Sequence, residues 1–253
     1  MPLLTDTVPQ LTCILTNTFV TIVFMTPRPA PISRRDRPAK PPLSRAGLIA
    51  VALRIMREEG LEKATMRRLA AELDTGPASL YVYVENTAEL HTALLDEILD
   101  GLPMPAGDDP ARWRDDLIDL LGSYTQALAE HPTLARSVLL LRPSGPNYLR
   151  LIDALLGLLW LGGVPVRRAA WGVDLLLQQS TAAAAEHGTG PGAPDSTEQE
   201  DQQLTAVREV KSSEHPHIAT ARAELFSGTG RQRRRWALTA LIDGIASTPT
   251  PKI

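Results

Sequence analysis

Residues 65–90 read TMRRLAAELDTGPASLYVYVENTAEL. Thr65 stands just before a short run with helical spacing and predicts an N-cap, because its hydroxyl can accept a backbone N–H of the first turn. The helix that follows reaches Leu73. Asp74, Thr75 and Gly76 break it. Pro77 then opens a second short helix at its first turn, where a missing N–H costs little, and that helix is expected to end near Tyr83 or Val84. Leu69, Leu73 and Leu80 are placed to pack between the two helices, and Ala70 is small where they must cross. Ala78, Ser79, Tyr81, Val82 and Tyr83 then project outward, as on a helix offered to the major groove. Tyr81 and Tyr83 are the only aromatic residues between Met25 and Trp113.

Outward from this hairpin, an apolar stripe of Ile49, Leu53 and Met56 predicts a helix from Ser44 to Glu59, ended by Gly60. Asn86 and Glu89 have capping-box-like spacing for a helix to about Leu99. These parts stand in register: an apolar first helix, Gly60, Thr65, LAAEL, a Gly-containing turn, SLYVYV and an EL-containing helix. Over residues 44–100 the chain thereby resembles the tetracycline-repressor (TetR) family. The ending LFSGTG…RRWALTALIDGI and the helix layout resemble that family more loosely.

The resemblance implies an all-α fold, with an N-terminal three-helix DNA-binding domain containing the helix-turn-helix and a C-terminal helical bundle for effector binding and dimerisation. It implies a ligand-responsive transcriptional repressor that binds double-stranded operator DNA as a homodimer and is released by a small-molecule effector. From the resemblance and the helix geometry together, Thr65 and Tyr81 are expected on phosphates, Thr75, Ser79 and Tyr83 on the groove, and Arg45, Arg67 and Arg68 as general phosphate partners. Pro77 and Thr87 complete the expected DNA-binding set. The chain departs from the family's pattern at three positions. Asp74 stands where Gly is common, Tyr83 where His is frequent, and Thr87 where a phosphate-binding Lys usually begins the next helix. Asp tolerates the left-handed backbone a turn needs, whereas the missing Lys should weaken contact with the DNA backbone.

Net charge is only −3 over 253 residues. Its distribution matters more. From Arg28 to Arg68 there are eleven Lys/Arg against four Asp/Glu, and from Leu69 to Gly101 seven acids and no Lys/Arg. The basic segment is a candidate phosphate-facing surface. Residues 26–43 carry six Pro among Arg34, Arg35, Arg37 and Lys40 and read as a mobile basic arm. Residues 1–24 hold an apolar, Thr-rich stretch with no Lys or Arg before Arg28, unlike a signal peptide, and Met25 is expected to be the biological start. Three regions result: an arm over 1–43, a DNA-binding domain and connecting helix over 44–101, and a ligand-binding and dimerisation domain over 108–247, after a linker rich in Pro103, Pro105 and Pro110.

Past the linker, helical stripes predict helices near 113–131, 133–141, 147–161, 166–187, 217–226 and 231–246, with 188–194 a loop and 196–214 a weak helix or partly disordered. Nine or ten helices are expected in all, and no strand. The effector pocket is expected between 110–131, 147–161 and 166–187. Trp113, Tyr124, Trp160 and Trp171 would form its walls and His131, Gln178 and Gln179 its polar anchors, and the scarcity of charge on these stripes points to a largely apolar effector. Ala169, Ala170, Val173, Leu177, Ala184, Leu238, Leu241 and Ile245 are expected to form a four-helix bundle across a two-fold axis.

Other chemistry is poorly supported. The single Cys13 rules out a disulfide framework. No phosphate-binding Gly loop, zinc spacing or nucleophile–base arrangement is visible. His215 and His217 alone do not make a metal site. No enzyme activity, cofactor, metal or membrane association is expected, and a cytoplasmic location fits. The competing reading, an enzyme or structural helical protein that happens to contain the hairpin, stays open on sequence alone.

Overall fold

The hydroxyl of Ser44, held in extended backbone, accepts the Gly47 N–H at 3.1 Å and starts α1, Arg45–Glu59. This computed structural model describes residues 42–189 and 196–251. Met25, nearly all of the expected arm and most of the 188–194 loop lie outside the described residues. Gly60, at φ 97°, ends α1 and donates its N–H to the Met56 carbonyl. A 3-10 turn over Leu61–Lys63, absent from the sequence reading, leads into Thr65. The Thr65 hydroxyl accepts the Arg68 N–H at 3.2 Å and caps α2, Met66–Glu72. Asp74 takes φ 48°, the left-handed turn for which glycine is common. Pro77 is the first residue of α3, Pro77–Leu80, which is shorter than expected because the chain turns at 81–83.

Asn86 accepts the Glu89 N–H at 2.9 Å and starts α4, Thr87–Leu99. The box closes one residue early: the Glu89 carboxylate accepts the N–H of Glu85, not that of Asn86. Leu48, Ile55, Leu69, Leu80 and Leu94 are all fully buried and hold α1 to α4 together. Burying each such side chain contributes roughly 1.5–3 kcal/mol.

The remaining helices are α5 (Trp113–Ala129), α6 (Pro132–Val138), α7 (Pro146–Leu161), α8 (Val166–Glu186), α9 (Ser196–Glu209), α10 (Pro216–Leu225) and α11 (Gly230–Ser247). Eleven α-helices and no strand thus stand among the described residues, where nine or ten helices were expected. Helices α5 and α8 form the central pair. Helices α6 and α7 pack on both of them, and α11 packs on α8 and α5. Helix α4 belongs to both halves of the molecule, since it packs on α1 and also on α5, α6 and α7. The polar run after residue 196, expected as a weak helix or partly disordered, is helical through Glu209, and α9 packs on α10. No helix among the described residues is long and apolar enough to cross a membrane.

Candidate nucleic-acid interface and effector cavity

Helix α3 is four residues long and buries one side chain, Leu80, leaving Pro77, Ala78 and Ser79 exposed. The following turn exposes Tyr81 by 51% and Val82 by 80%. Both are large apolar groups in water, on the face expected to meet DNA. Tyr83 departs from the sequence reading. It is half-buried, and its hydroxyl donates to the Leu43 carbonyl at 2.7 Å, so it ties the start of α1 to the recognition element instead of pointing outward. Leu73 is half-buried, and it packs against the core that contains Leu69, Ala70 and Leu80.

Thr65, Arg67, Pro77, Tyr81 and Thr87 gather on the rim of one 610 Å³ groove, which also reaches His91 on α4 and Thr133 and Ser137 on α6. Thr75 is half-buried in the turn. The cations differ in availability. Arg68 is held by Glu59 at 3.2 Å and Glu72 at 2.9 Å, and Arg45 by Glu89 at 3.3 Å. Arg67 is exposed and has no ion pair among the described residues. Exposed pairs of this kind are worth little in water, so a phosphate can exchange with them.

His91 is half-buried, with Nδ1 2.6 Å from the Ser137 hydroxyl. Burial pushes its pKa below the ordinary 6.5. Burial does the same to His131, opposed by Glu130 and aided by Arg57. Below pH 6.5 the unfolded chain therefore takes up more protons than the folded one at these sites. The stability involved is complete above that pH and is lost as pH falls through it toward the folded pKa values. Melting temperature is expected to fall between about pH 7 and about pH 5, and to fall less in His91→Asn. An equal fall in both proteins would remove His91 from the account.

The expected effector residues do not share one pocket. Tyr124 and Gln178 line a 70 Å³ cavity with Leu95, Arg142, Tyr148, Asp174 and Thr181. The buried Tyr124 hydroxyl lies 2.7 Å from the Thr181 hydroxyl, which donates to the Leu177 carbonyl at 2.8 Å. Burial pushes the Tyr124 pKa far up, so the phenol stays neutral. Gln179, one residue on from Gln178, lines a separate open groove of 990 Å³ with Thr125, Ser180 and Trp236. Adjacent residues on a helix point about 100° apart, so α5 and α8 form a wall between the two spaces.

Trp160 and Trp171 are 49% and 51% exposed and line neither space, because Leu158, Leu159, Gly172 and Val173 take the inner positions of their helices. Trp113 is half-buried against Gly162, where an added Cβ would lie 2.4 Å from the indole ring. Gly162→Ala is therefore expected to displace that ring and cost about 1–3 kcal/mol. A urea midpoint unchanged from the parent chain would contradict the packing. His131 stands at the start of α6, outside the cavity. Arg142, Tyr148, Asp174 and Thr181 line the cavity without having been expected there, and of these only Tyr148, the sole aromatic in the first turn of α7, carried a signal.

The expected dimer residues mostly face inward. Ala169, Val173, Leu177, Ala184, Leu238 and Ile245 are buried within the protomer, Leu241 is half-buried and Ala170 exposed. The same two helices expose other apolar groups instead: Trp171 and Leu175 on α8, and Trp236, 74% exposed, on α11.

Comparison with known proteins agrees with this layout. Residues 48–94 match "Bacterial regulatory proteins, tetR family", and residues 105–248 match "Tetracyclin repressor-like, C-terminal domain". The chain is 48% identical to SCO7704, a transcription regulator from Streptomyces coelicor, over 85% of this chain and 100% of that one, with TM-score 0.72. It is 31% identical to the Streptomyces coelicolor TetR family protein ActR in complex with actinorhodin, over 81% of this chain and 97% of that one, with TM-score 0.72. Among curated proteins it is 37% identical to the HTH-type transcriptional repressor DrrR1 of Streptomyces coeruleorubidus, over 40% of this chain and 37% of that one. The chain spans less than half the length of the curated relatives it matches.

Proposed function

The chain belongs to the TetR family of bacterial regulatory proteins, and from that premise we propose that it is a transcriptional repressor, without enzymatic activity of its own, acting in the cytoplasm. Its homodimer binds double-stranded operator DNA and lets go when a small molecule enters each protomer. The DNA-reading part is 44–101 and the effector-binding and dimerisation part 108–247. The observation that carries this reading is the face of α3 and its turn, where Ser79, Tyr81 and Val82 stand exposed around the one buried anchor Leu80.

Thr65, Tyr81, Thr87 and Arg67 hold phosphates from the groove rim, with Arg45 and Arg68 joining by exchanging their carboxylate partners. Pro77 and Ser79 approach base edges, with Thr75 beside them. Tyr83 serves the site indirectly, by fixing the recognition turn to α1. Tyr81→Phe is expected to weaken binding to all DNA sequences alike, by about 1 kcal/mol, and Ser79→Ala to change the preference among operators. Fluorescence anisotropy on fragments of the protein's own upstream promoter region measures both. The assignment fails if neither substitution alters affinity or preference.

The effector enters the cavity of Tyr124, Tyr148, Gln178 and Thr181. That cavity carries Arg142, Asp174 and three hydroxyls, so the effector presents hydrogen-bonding groups as well as an apolar body, a change from the largely apolar compound expected from sequence. ActR, crystallised with actinorhodin, supports the ligand-responsive part of the reading. Trp171, Leu175 and Trp236 form the two-fold contact. Trp171→Glu with Trp236→Glu is expected to turn the dimer into a folded monomer in light scattering at micromolar concentration, because each charge must be buried to keep the contact. A dimer that survives both changes places the interface elsewhere.

A further inference from the structure

We propose that Asp96 is a positioning residue that joins the effector cavity to the DNA-reading head, so that the two share one equilibrium. This deepens the ligand-responsive reading above and rests on it. Helix α7 begins at Pro146, and its N-cap position, Gly145, has no side chain to cap it. The cap comes from another helix. Asp96 on α4 accepts the Tyr148 N–H on Oδ1 at 2.9 Å, and its backbone carbonyl accepts the Asn147 side-chain amide at 3.0 Å. Gly145 lets the carboxylate in: a Cβ there would lie 2.2 Å from the Asp96 carboxyl carbon. Arg150 returns the favour from α7, donating to the Leu99 and Asp100 carbonyls at 3.3 and 3.0 Å, where α4 ends. Each helix therefore caps the other, acid on the N–H end and cation on the carbonyl end, as the helix dipoles favour.

This junction touches the cavity directly. Leu95, the neighbour of Asp96, and Tyr148, whose N–H Asp96 holds, both line it. The cavity measures 70 Å³, whereas sites for drug-sized ligands run to roughly 300–1,000 Å³. Ligand entry must therefore push its walls apart, and the Tyr148 wall cannot move without straining the cap on α4. Helix α4 then carries the displacement as a rod of 13 residues, about 20 Å long, to Thr87 on the rim of the groove beside Tyr81. Ligand and operator thus act on the position of one helix, and a shift favoured by one disfavours the other by the same factor.

Because the coupling is reciprocal, operator DNA alone can test it. Hydrogen exchange would be followed over residues 146–152 in the full-length dimer, with and without a duplex from its own upstream promoter region, and affinity would be measured on the same samples. In the parent chain DNA is expected to slow exchange there by about tenfold. Asp96→Ala is expected to bind the duplex within about threefold of the parent, yet to show fast exchange at 146–152 that DNA no longer changes. Asp96→Asn keeps an acceptor oxygen for the Tyr148 N–H and should restore much of the response. Arg150→Ala, which cuts only the returning half, should at least halve it. A cap with no more than a structural role would raise exchange but leave the DNA effect intact. The joint is overturned if Asp96→Ala transmits the DNA effect undiminished, or if the parent chain binds DNA with no change over 146–152. Failure of the parent chain to bind any duplex would instead overturn the DNA-reading assignment, and this joint with it.

Discussion

Leu80→Ala is expected to cost about 2–5 kcal/mol of stability and to abolish DNA binding, although Leu80 is fully buried and faces no ligand. Helix α3 is four residues long, with Leu80 its only buried side chain. A helix of one turn has no stability of its own in water and exists because it packs. Losing the isopropyl group leaves a void against Leu69 and Ala70, and the one remaining tie, the Tyr83 hydroxyl on the Leu43 carbonyl, is too little to hold Ser79, Tyr81 and Val82 in place. Urea unfolding followed by circular dichroism measures the first effect, and anisotropy on promoter DNA the second. Val82→Ala is the matched control: its side chain is 80% exposed, so stability should change by less than about 0.5 kcal/mol. A Leu80→Ala protein with parental stability would mean that the head is not held together as described.

Tyr124→Ala is expected to have a comparable effect in the other half of the molecule, about 3–5 kcal/mol. The ring is 2% exposed between α5 and α8, and its hydroxyl meets Thr181 at 2.7 Å. Its loss enlarges a cavity already bounded by Leu95, Tyr148 and Leu177. The enlarged space keeps a hydroxyl at Thr181, so phenol, which restores both ring and hydroxyl, should raise the melting temperature of the variant while leaving the parent chain unchanged. Tyr124→Phe should cost only about 1 kcal/mol, since Thr181 keeps its own bond to the Leu177 carbonyl. A variant indifferent to phenol would show that the space collapses rather than remaining as a site.

The head was legible in the sequence because its signals are local. Ser44, Thr65 and Asn86 each cap the helix that follows, Gly60 ends one, Pro77 opens one, and Asp74 takes the left-handed turn. Each acts within a few residues of itself. Tyr83 was misread because its partner is a backbone carbonyl 40 residues away, which no side-chain pattern reveals. The effector half was harder for a related reason. Helices α7 and α8 are rich in Leu and Ala on several faces, so periodicity did not say that Trp160 and Trp171 stay outside while Leu159 and Val173 go in. The same ambiguity turned the expected dimer residues into core. The cavity itself draws residues from α4, α5, α6, α7, α8 and the segment before α7, and such a set converges only once the helices have packed.

On the proposed function, a dimer of this chain reads DNA sequence through the exposed face of α3 and its turn. Selection of bound duplexes from a random-sequence pool by the purified protein reads this out without any assumed operator. The expected result is enrichment of a two-fold symmetric site whose half-sites lie about one helical turn, or a small multiple of it, apart. Repeating the selection with Ser79→Ala should change the enriched bases within each half-site and leave their spacing alone. A pool that shows no enriched sequence after selection, or the same sequence for both proteins, would contradict it.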